Sequence, residues 1–136
     1  SPLCLMAKSK WKEVEVWGID FADKLIVKLS KKYPQINYRI GDFNSLPFQN
    51  ETFDYVVLGE IIEHTEDPQA TIAESTRVLK RGGTLALYTP HNEVENNHSY
   101  PQHLWSFNQR DVEGLLKGMT WEVFVKNNIF GYATKN

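Results

Sequence analysis

Apolar positions along the chain switch repeatedly between helical and strand spacing. Ser1-Pro2 has the form of a helix cap followed by proline at the first helical position, and Leu3, Met6 and Ala7 then share one face. Residues 14–19 read as a strand, closed by Gly18 and Asp20. Residues 22–32 place Leu25, Ile26 and Leu29 at helical spacing, and Pro34 prevents continuation. A second strand is predicted over 36–40, broken by Gly41-Asp42.

The clearest strand is 53–58, a near-continuous apolar run of the kind found in a parallel sheet covered on both faces. Asp67-Pro68 then opens a helix whose buried face is predicted to carry Ile72, Ala73, Thr76 and Leu79. Gly82-Gly83 ends that helix, and 84–89 forms the next strand, stopped by Pro90. No periodicity governs 91–107, and a loop of that length in a compact domain is usually functional. Asn108 with Asp111 forms a capping-box pattern ahead of Val112, Leu115 and Leu116. Strands at 121–126 and 129–134, joined at Asn127-Asn128, predict a terminal antiparallel hairpin. The order strand, helix, strand, strand, helix, strand predicts an α/β fold with a mostly parallel sheet and crossover helices, in one domain over 1–136.

Composition narrows this only slightly. With 136 residues, 41% hydrophobic and 24% charged, the chain falls in the ordinary globular range. A formal charge of -2 gives no whole-chain basic signal for nucleic acid. Cys4 is the sole cysteine, so no internal disulfide can form, which agrees with a reducing cytoplasm. No apolar run approaches the roughly 20 residues of a membrane-spanning helix.

Ligands of open parallel sheets bind outside the carboxyl ends of the strands. That directs attention to Asp20, Asp42, Gly59-Glu60 and residues 89–91. A carboxylate at Asp20 can accept hydrogen bonds from both hydroxyls of a ribose, although a turn or capping aspartate fits equally well. Asp42 can accept from the exocyclic amine of an adenine while Phe43 covers the ring. Glu60, Glu63 and His64 have the spacing of one helix face, and with His103 they make a possible divalent-metal set. Against a metal, glutamates near a helix start are favoured by the helix dipole alone, and no metal is expected. His64, His91, His98 and His103 are candidate proton acceptors, with His64 and His103 the preferred pair. Trp105 and Phe107 fit either a pocket lining or an anchor between loop and core.

Five segments in order carry a resemblance. They are Gly41-Asp42-Phe43-Asn44-Ser45-Leu46-Pro47-Phe48, Phe53-Asp54-Tyr55-Val56-Val57, Glu60-Ile61-Ile62-Glu63-His64, Val78-Leu79-Lys80-Arg81-Gly82-Gly83-Thr84-Leu85, and His103-Leu104-Trp105-Ser106-Phe107-Asn108. Together they resemble class I S-adenosylmethionine-dependent methyltransferases, most closely the broad small-molecule and polysaccharide-type branch. The resemblance implies a Rossmann-like methyltransferase fold with S-adenosylmethionine as cofactor and S-adenosylhomocysteine as product. Carried onto this sequence, it gives Asp20 and Phe21 to the ribose side, Asp42 and Phe43 to the adenine, and Gly59 and Glu60 to the methionine side. The methyl acceptor it implies is a small molecule or glycan precursor, and His64 and His103, which follow a strand end or enter the expected pocket, are the catalytic candidates beside it. The family's first strand and Gly-x-Gly loop would stand before Ser1, so a truncated domain is expected, with a second copy able to fill the missing-strand slot. Two other functions fit the same residues: a non-catalytic binding module, and a metal-dependent 2'-O-methyltransferase of RNA 3' ends. A nicotinamide-dependent dehydrogenase leaves Asp42-Phe43 unexplained.

Overall fold

The structure, a computed structural model, describes residues 2–91 and 103–136. The capping position Ser1 and the candidate His98 lie outside the described residues. The chain falls into two compact units, Ser1–Pro47 and Phe48–Asn136.

The first unit is built from α1 (Pro2–Lys10), β1 (Trp17–Asp20), α2 (Asp23–Lys32) and β2 (Asn37–Ile40). β1 and β2 are parallel, with Trp17 opposite Asn37 and Asp20 opposite Ile40. The first strand is shorter than the predicted 14–19. Residues 12 and 14 present their carbonyls to the Lys8 ammonium, at 2.8 Å each, instead of to a ladder. α2 lies on the strand pair and buries Ile26, while Ile36 is buried at the entry to β2. Gly18 is required by close packing: a Cβ there would stand 2.7 Å from the Tyr38 ring.

The second unit holds β3 (Phe53–Gly59), a short 3-10 turn (Ile62–His64), α3 (Pro68–Val78), β4 (Leu79–Pro90), α4 (Gln109–Leu115), β5 (Thr120–Val125) and β6 (Asn128–Thr134). Its four-stranded sheet has the order β3-β4-β6-β5. The β3–β4 pair is parallel and the other two pairs are antiparallel, so this sheet is mixed. α3 packs on β4, α4 packs on β5 and β6, and the two helices touch each other. Beneath them Leu58, Ile72, Leu85, Leu87, Val112, Leu116 and Ile129 form one core.

Both predicted helix starts are present. The Asp67 side chain accepts from the Ala70 amide, with Pro68 in the first turn. Asn108 and Asp111 form the reciprocal capping box. The buried face of α3 differs from the predicted one: it carries Pro68, Thr71, Ile72, Ser75 and Val78, and Ala73 is exposed. The Thr71 hydroxyl donates to the Asp67 carbonyl at 3.2 Å, which lets a polar residue face inward.

Two further expectations are corrected. β3 is not covered on both faces: Tyr55 is 73% and Val57 53% exposed, because they alternate with Val56 and Leu58, which face the core under α3 and α4. Gly82-Gly83 does not separate helix from strand either, because β4 begins directly at Leu79. Phe53 pairs with Leu79 and Tyr55 with Thr84, so residues 80–83 bulge from the ladder. Gly82 turns there with φ 77. Lys135 closes the bulge, accepting from the Gly82 amide at 2.8 Å and donating through Nζ to the Leu79 carbonyl at 2.8 Å.

Gly131 sets the approach of α4 to the sheet. A Cβ at that position would stand 3.0 Å from Leu116 Cδ1, 3.3 Å from Leu87 Cγ and 3.4 Å from Val112 Cγ1. Gly131→Ala is therefore expected to destabilise the chain by about 1–3 kcal/mol through overpacking, read from the urea unfolding midpoint. A variant as stable as its parent would show that α4 can move away freely.

Candidate functional site

The candidate residues gather at the carboxyl ends of parallel strands, in two groups that belong to different units. In the first unit, Asp20 ends β1 and Asp42 follows β2. The Gly41 amide donates to the Asp20 carbonyl at 3.0 Å, which brings the two strand ends side by side. Each carboxylate uses Oδ1 to shape its own turn. Asp20 Oδ1 accepts from the Ala22 amide at 2.9 Å, and Asp42 Oδ1 from the Asn44 amide at 2.8 Å. Both are thus turn-forming aspartates, yet each has a second oxygen for a ligand hydroxyl or amine. Phe21 is 75% exposed and Phe43 half-buried beside them. Exposed apolar surface of that size next to two carboxylates suits a flat, partly apolar ligand with donor groups at its edge.

In the second unit, Gly59 ends β3 and Glu60 turns the chain. Glu60 adopts φ 52, the left-handed region that costs a residue with a Cβ roughly 1 kcal/mol or more. Its amide donates to the Tyr88 carbonyl of the neighbouring strand at 2.9 Å, which holds the turn in place. This breaks the expected helix face. Glu60 does not stand with Glu63 and His64 on a helix, because the regular turn starts only at Ile62 and runs for three residues.

Glu63, His64 and His103 do come together. One ligand-type atom from each lies within 4.8 Å of the others. The His64 and His103 rings meet edge to face with centroids 4.6 Å apart. The Leu104 amide donates to the Glu63 carbonyl at 2.7 Å, fixing the loop next to His103. Glu63 itself is 1% exposed. Its Oε2 accepts from the Thr89 hydroxyl at 3.0 Å, whereas no hydrogen-bond partner among the described residues reaches Oε1. Burial pushes the Glu63 carboxyl above the usual carboxylate range, against the lowering influence of its own amide, Thr89 and the two imidazoles. Burial first, then the nearby Glu60 and Glu63 carboxylates, also raises the Tyr88 hydroxyl.

The aromatic residues of the same loop act as anchors. Phe107 is buried in the core, and the Trp105 indole donates to the Thr65 carbonyl at 2.8 Å. His91, another candidate base, is not one of the three clustered residues, and its backbone forms a parallel bridge with Phe107. Thr89, within the strand end 89–91 marked by the sequence, joins the candidate site through its hydroxyl at the end of β4, opposite the 3-10 turn.

Comparison with known proteins fits this arrangement. A family model described as a methyltransferase domain matches residues 2–87. The chain belongs to that family, the class I S-adenosylmethionine-dependent methyltransferases, whose cofactor is S-adenosylmethionine. It is 28% identical over 112 residues to a Mycolicibacterium smegmatis protein named "Probable S-adenosylmethionine-dependent methyltransferase", covering 79% of this chain and 44% of that one. It is 34% identical over 93 residues to the demethylmenaquinone methyltransferase of Lysinibacillus sphaericus, covering 65% of this chain and 40% of the relative. The chain thus spans less than half the length of these curated relatives. Among solved structures, a SAM-dependent methyltransferase from Aquifex aeolicus superposes with a TM-score of 0.76 at 20% identity, over 98% of this chain and 76% of that one. At that identity the likeness shows the fold, which is the expected Rossmann-like one. No helix among the described residues is long and apolar enough to cross a membrane.

The Glu63–Thr89 bond gives a stability prediction. Thr89→Val keeps the shape of the side chain and removes the donor to a buried carboxyl. The expected cost is about 1–3 kcal/mol in the unfolding free energy. A cost within about 0.5 kcal/mol of zero would mean that Glu63 is satisfied in another way.

Proposed function

We propose that this chain binds S-adenosylmethionine and takes part in methyl transfer to a small-molecule or glycan-type acceptor. The observation that carries this reading is the pair of carboxylates, Asp20 and Asp42, side by side at the ends of neighbouring parallel strands. When bound, the cofactor supplies a methyl group on a sulfonium, which departs as a neutral thioether as the acceptor atom forms its bond to the methyl carbon.

The residues fit their proposed roles. Asp20 would accept from the ribose hydroxyls through the oxygen its turn leaves unused, with Phe21 alongside. Asp42 would accept from the adenine amine, and Phe43 would cover the ring. Gly59 and the strained Glu60 would attend the methionine side. His64 and His103 would take the proton that the acceptor gives up, since an imidazole nitrogen can serve as a general base. Methyl transfer asks little covalent chemistry of the protein, so holding the two reactants in line is the main contribution. The demethylmenaquinone methyltransferase relative supports a small organic acceptor.

A second feature bears on assembly. β3 is the outer strand of its sheet and exposes Tyr55 and Val57. An outer strand favours association through its backbone edge, and pairing with a second copy along it is part of the proposal.

Calorimetric titration with S-adenosylhomocysteine tests the reading. Saturable one-to-one binding is expected, weakened about 10- to 100-fold by Asp20→Ala or by Asp42→Ala, as befits loss of a charge-assisted hydrogen bond. His64→Ala is expected to leave that affinity unchanged while lowering methyl-transfer turnover by about 100-fold or more. No binding by the parent chain would leave the fold as a non-catalytic module.

A further inference from the structure

We propose that Leu104 and Trp105 form the wall of the acceptor site and select a planar aromatic ring that carries a hydroxyl. The proposal rests on the methyltransferase reading and narrows its acceptor class. Residues 103–105 are joined to residues 63–65 by three contacts. The His103 ring meets the His64 ring with centroids 4.6 Å apart. The Leu104 amide donates to the Glu63 carbonyl at 2.7 Å. The Trp105 indole donates to the Thr65 carbonyl at 2.8 Å. Both candidate bases and both apolar side chains therefore belong to one fixed strip, in and beside the turn that follows β3.

Leu104 is 56% and Trp105 46% exposed, although both are held in place. The indole Nε1, the one polar atom of the Trp105 side chain, is spent on Thr65. The ring also stacks on Phe107, with centroids 6.5 Å apart, and Phe107 is buried in the core. Such anchoring sets the orientation of the indole without covering it. A rigid aromatic surface left open to solvent is preorganised to stack on a flat ring, because it is already ordered before the ligand arrives. The polar groups of the strip turn elsewhere. The Glu63 carboxyl accepts from the Thr89 hydroxyl, and the Thr65 hydroxyl donates to the Ile62 carbonyl at 3.3 Å. Toward solvent the strip presents imidazole, isobutyl and indole groups. A hydroxyl-rich sugar needs several directed hydrogen-bonding partners, whereas a planar ring needs an apolar wall and few polar contacts.

The chemistry of the reacting group points the same way. A phenol-type hydroxyl ionises at about 10, against about 15.7 for water, which an aliphatic hydroxyl resembles. An imidazole nitrogen acting as general base therefore draws the proton of a ring hydroxyl far more readily than that of a sugar. The oxygen that loses this proton bonds to the methyl carbon as the carbon–sulfur bond breaks, and the electron pair of that bond stays on sulfur.

The test titrates the isotope-labelled chain with 2-naphthol, with and without saturating S-adenosylhomocysteine. It follows the magnetic resonance signals of the Trp105 indole N–H and the Leu104 methyls. Methyl α-glucoside is the sugar comparator. Saturable shifts are expected with 2-naphthol, and none with the glucoside at equal concentration. Leu104→Ala and Trp105→Ala are each expected to weaken 2-naphthol binding by about 3- to 10-fold, read from the signal of the residue that remains. Leu104→Ala keeps the backbone bond to Glu63, so it decides the matter if Trp105→Ala does not fold. The proposal is overturned if 2-naphthol moves neither signal, if the glucoside moves them equally, or if Leu104→Ala or a folded Trp105→Ala keeps the parent's affinity. S-adenosylhomocysteine binding without 2-naphthol binding counts against the wall only. The reverse, 2-naphthol binding without S-adenosylhomocysteine binding, counts against the methyltransferase reading only.

Discussion

The inward-facing row of β4 is the constraint on which the second unit depends. Leu85, Leu87 and Thr89 alternate along one side of the strand, all buried, and a slip of one residue would turn the whole row to the other face. The two leucines meet the core under α3 and α4. Thr89 comes last in the row, at the carboxyl end, where its hydroxyl reaches the Glu63 carboxylate. The ladder that buries the core therefore also places a polar group at the strand end. From Glu63 the order passes to the Leu104 amide, and so to the loop that carries His103.

The same logic of strand ends operates in the first unit with different chemistry. There the ends carry exposed or half-buried carboxylates whose first oxygens are spent on local turns. In the second unit the end carries a carboxyl driven into the interior, beside imidazoles. The first arrangement suits neutral donors such as hydroxyls and amines, and the second suits a proton or a cation. Glu60 adds strain at that second end, and such strain persists only where the surrounding bonds over-determine it, as the Tyr88 carbonyl does here.

Much of the fold was legible in the residues. The cap-then-proline at Asp67-Pro68, the capping box at Asn108 and Asp111, and the terminal hairpin each rest on local chemistry that tertiary structure did not override. The family was legible because five segments kept their order. What local pattern could not give was pairing. The exposure of Tyr55 and Val57 depends on which face of β3 the helices cover, and the start of β4 at Leu79 depends on a bulge closed by Lys135, far away in sequence. Thr71 and Ser75 were missed on the buried face of α3 because an apolar pattern does not count polar residues that face inward. At the site, strand-end reasoning located Asp20, Asp42 and Glu60. The helical spacing of Glu60, Glu63 and His64 misled, since one left-handed residue was enough to remove Glu60 from the group. The partnership of Glu63 with Thr89 needed the third dimension.

The central claim is that the paired strand ends of the first unit, at Asp20 and Asp42, hold a nucleoside-bearing cofactor. Amide chemical shifts of the isotope-labelled chain, followed during titration with S-adenosylhomocysteine, test it most directly. The account predicts movement concentrated at residues 20–22 and 42–44. An unchanged spectrum, or changes confined to the β5–β6 hairpin, would contradict it.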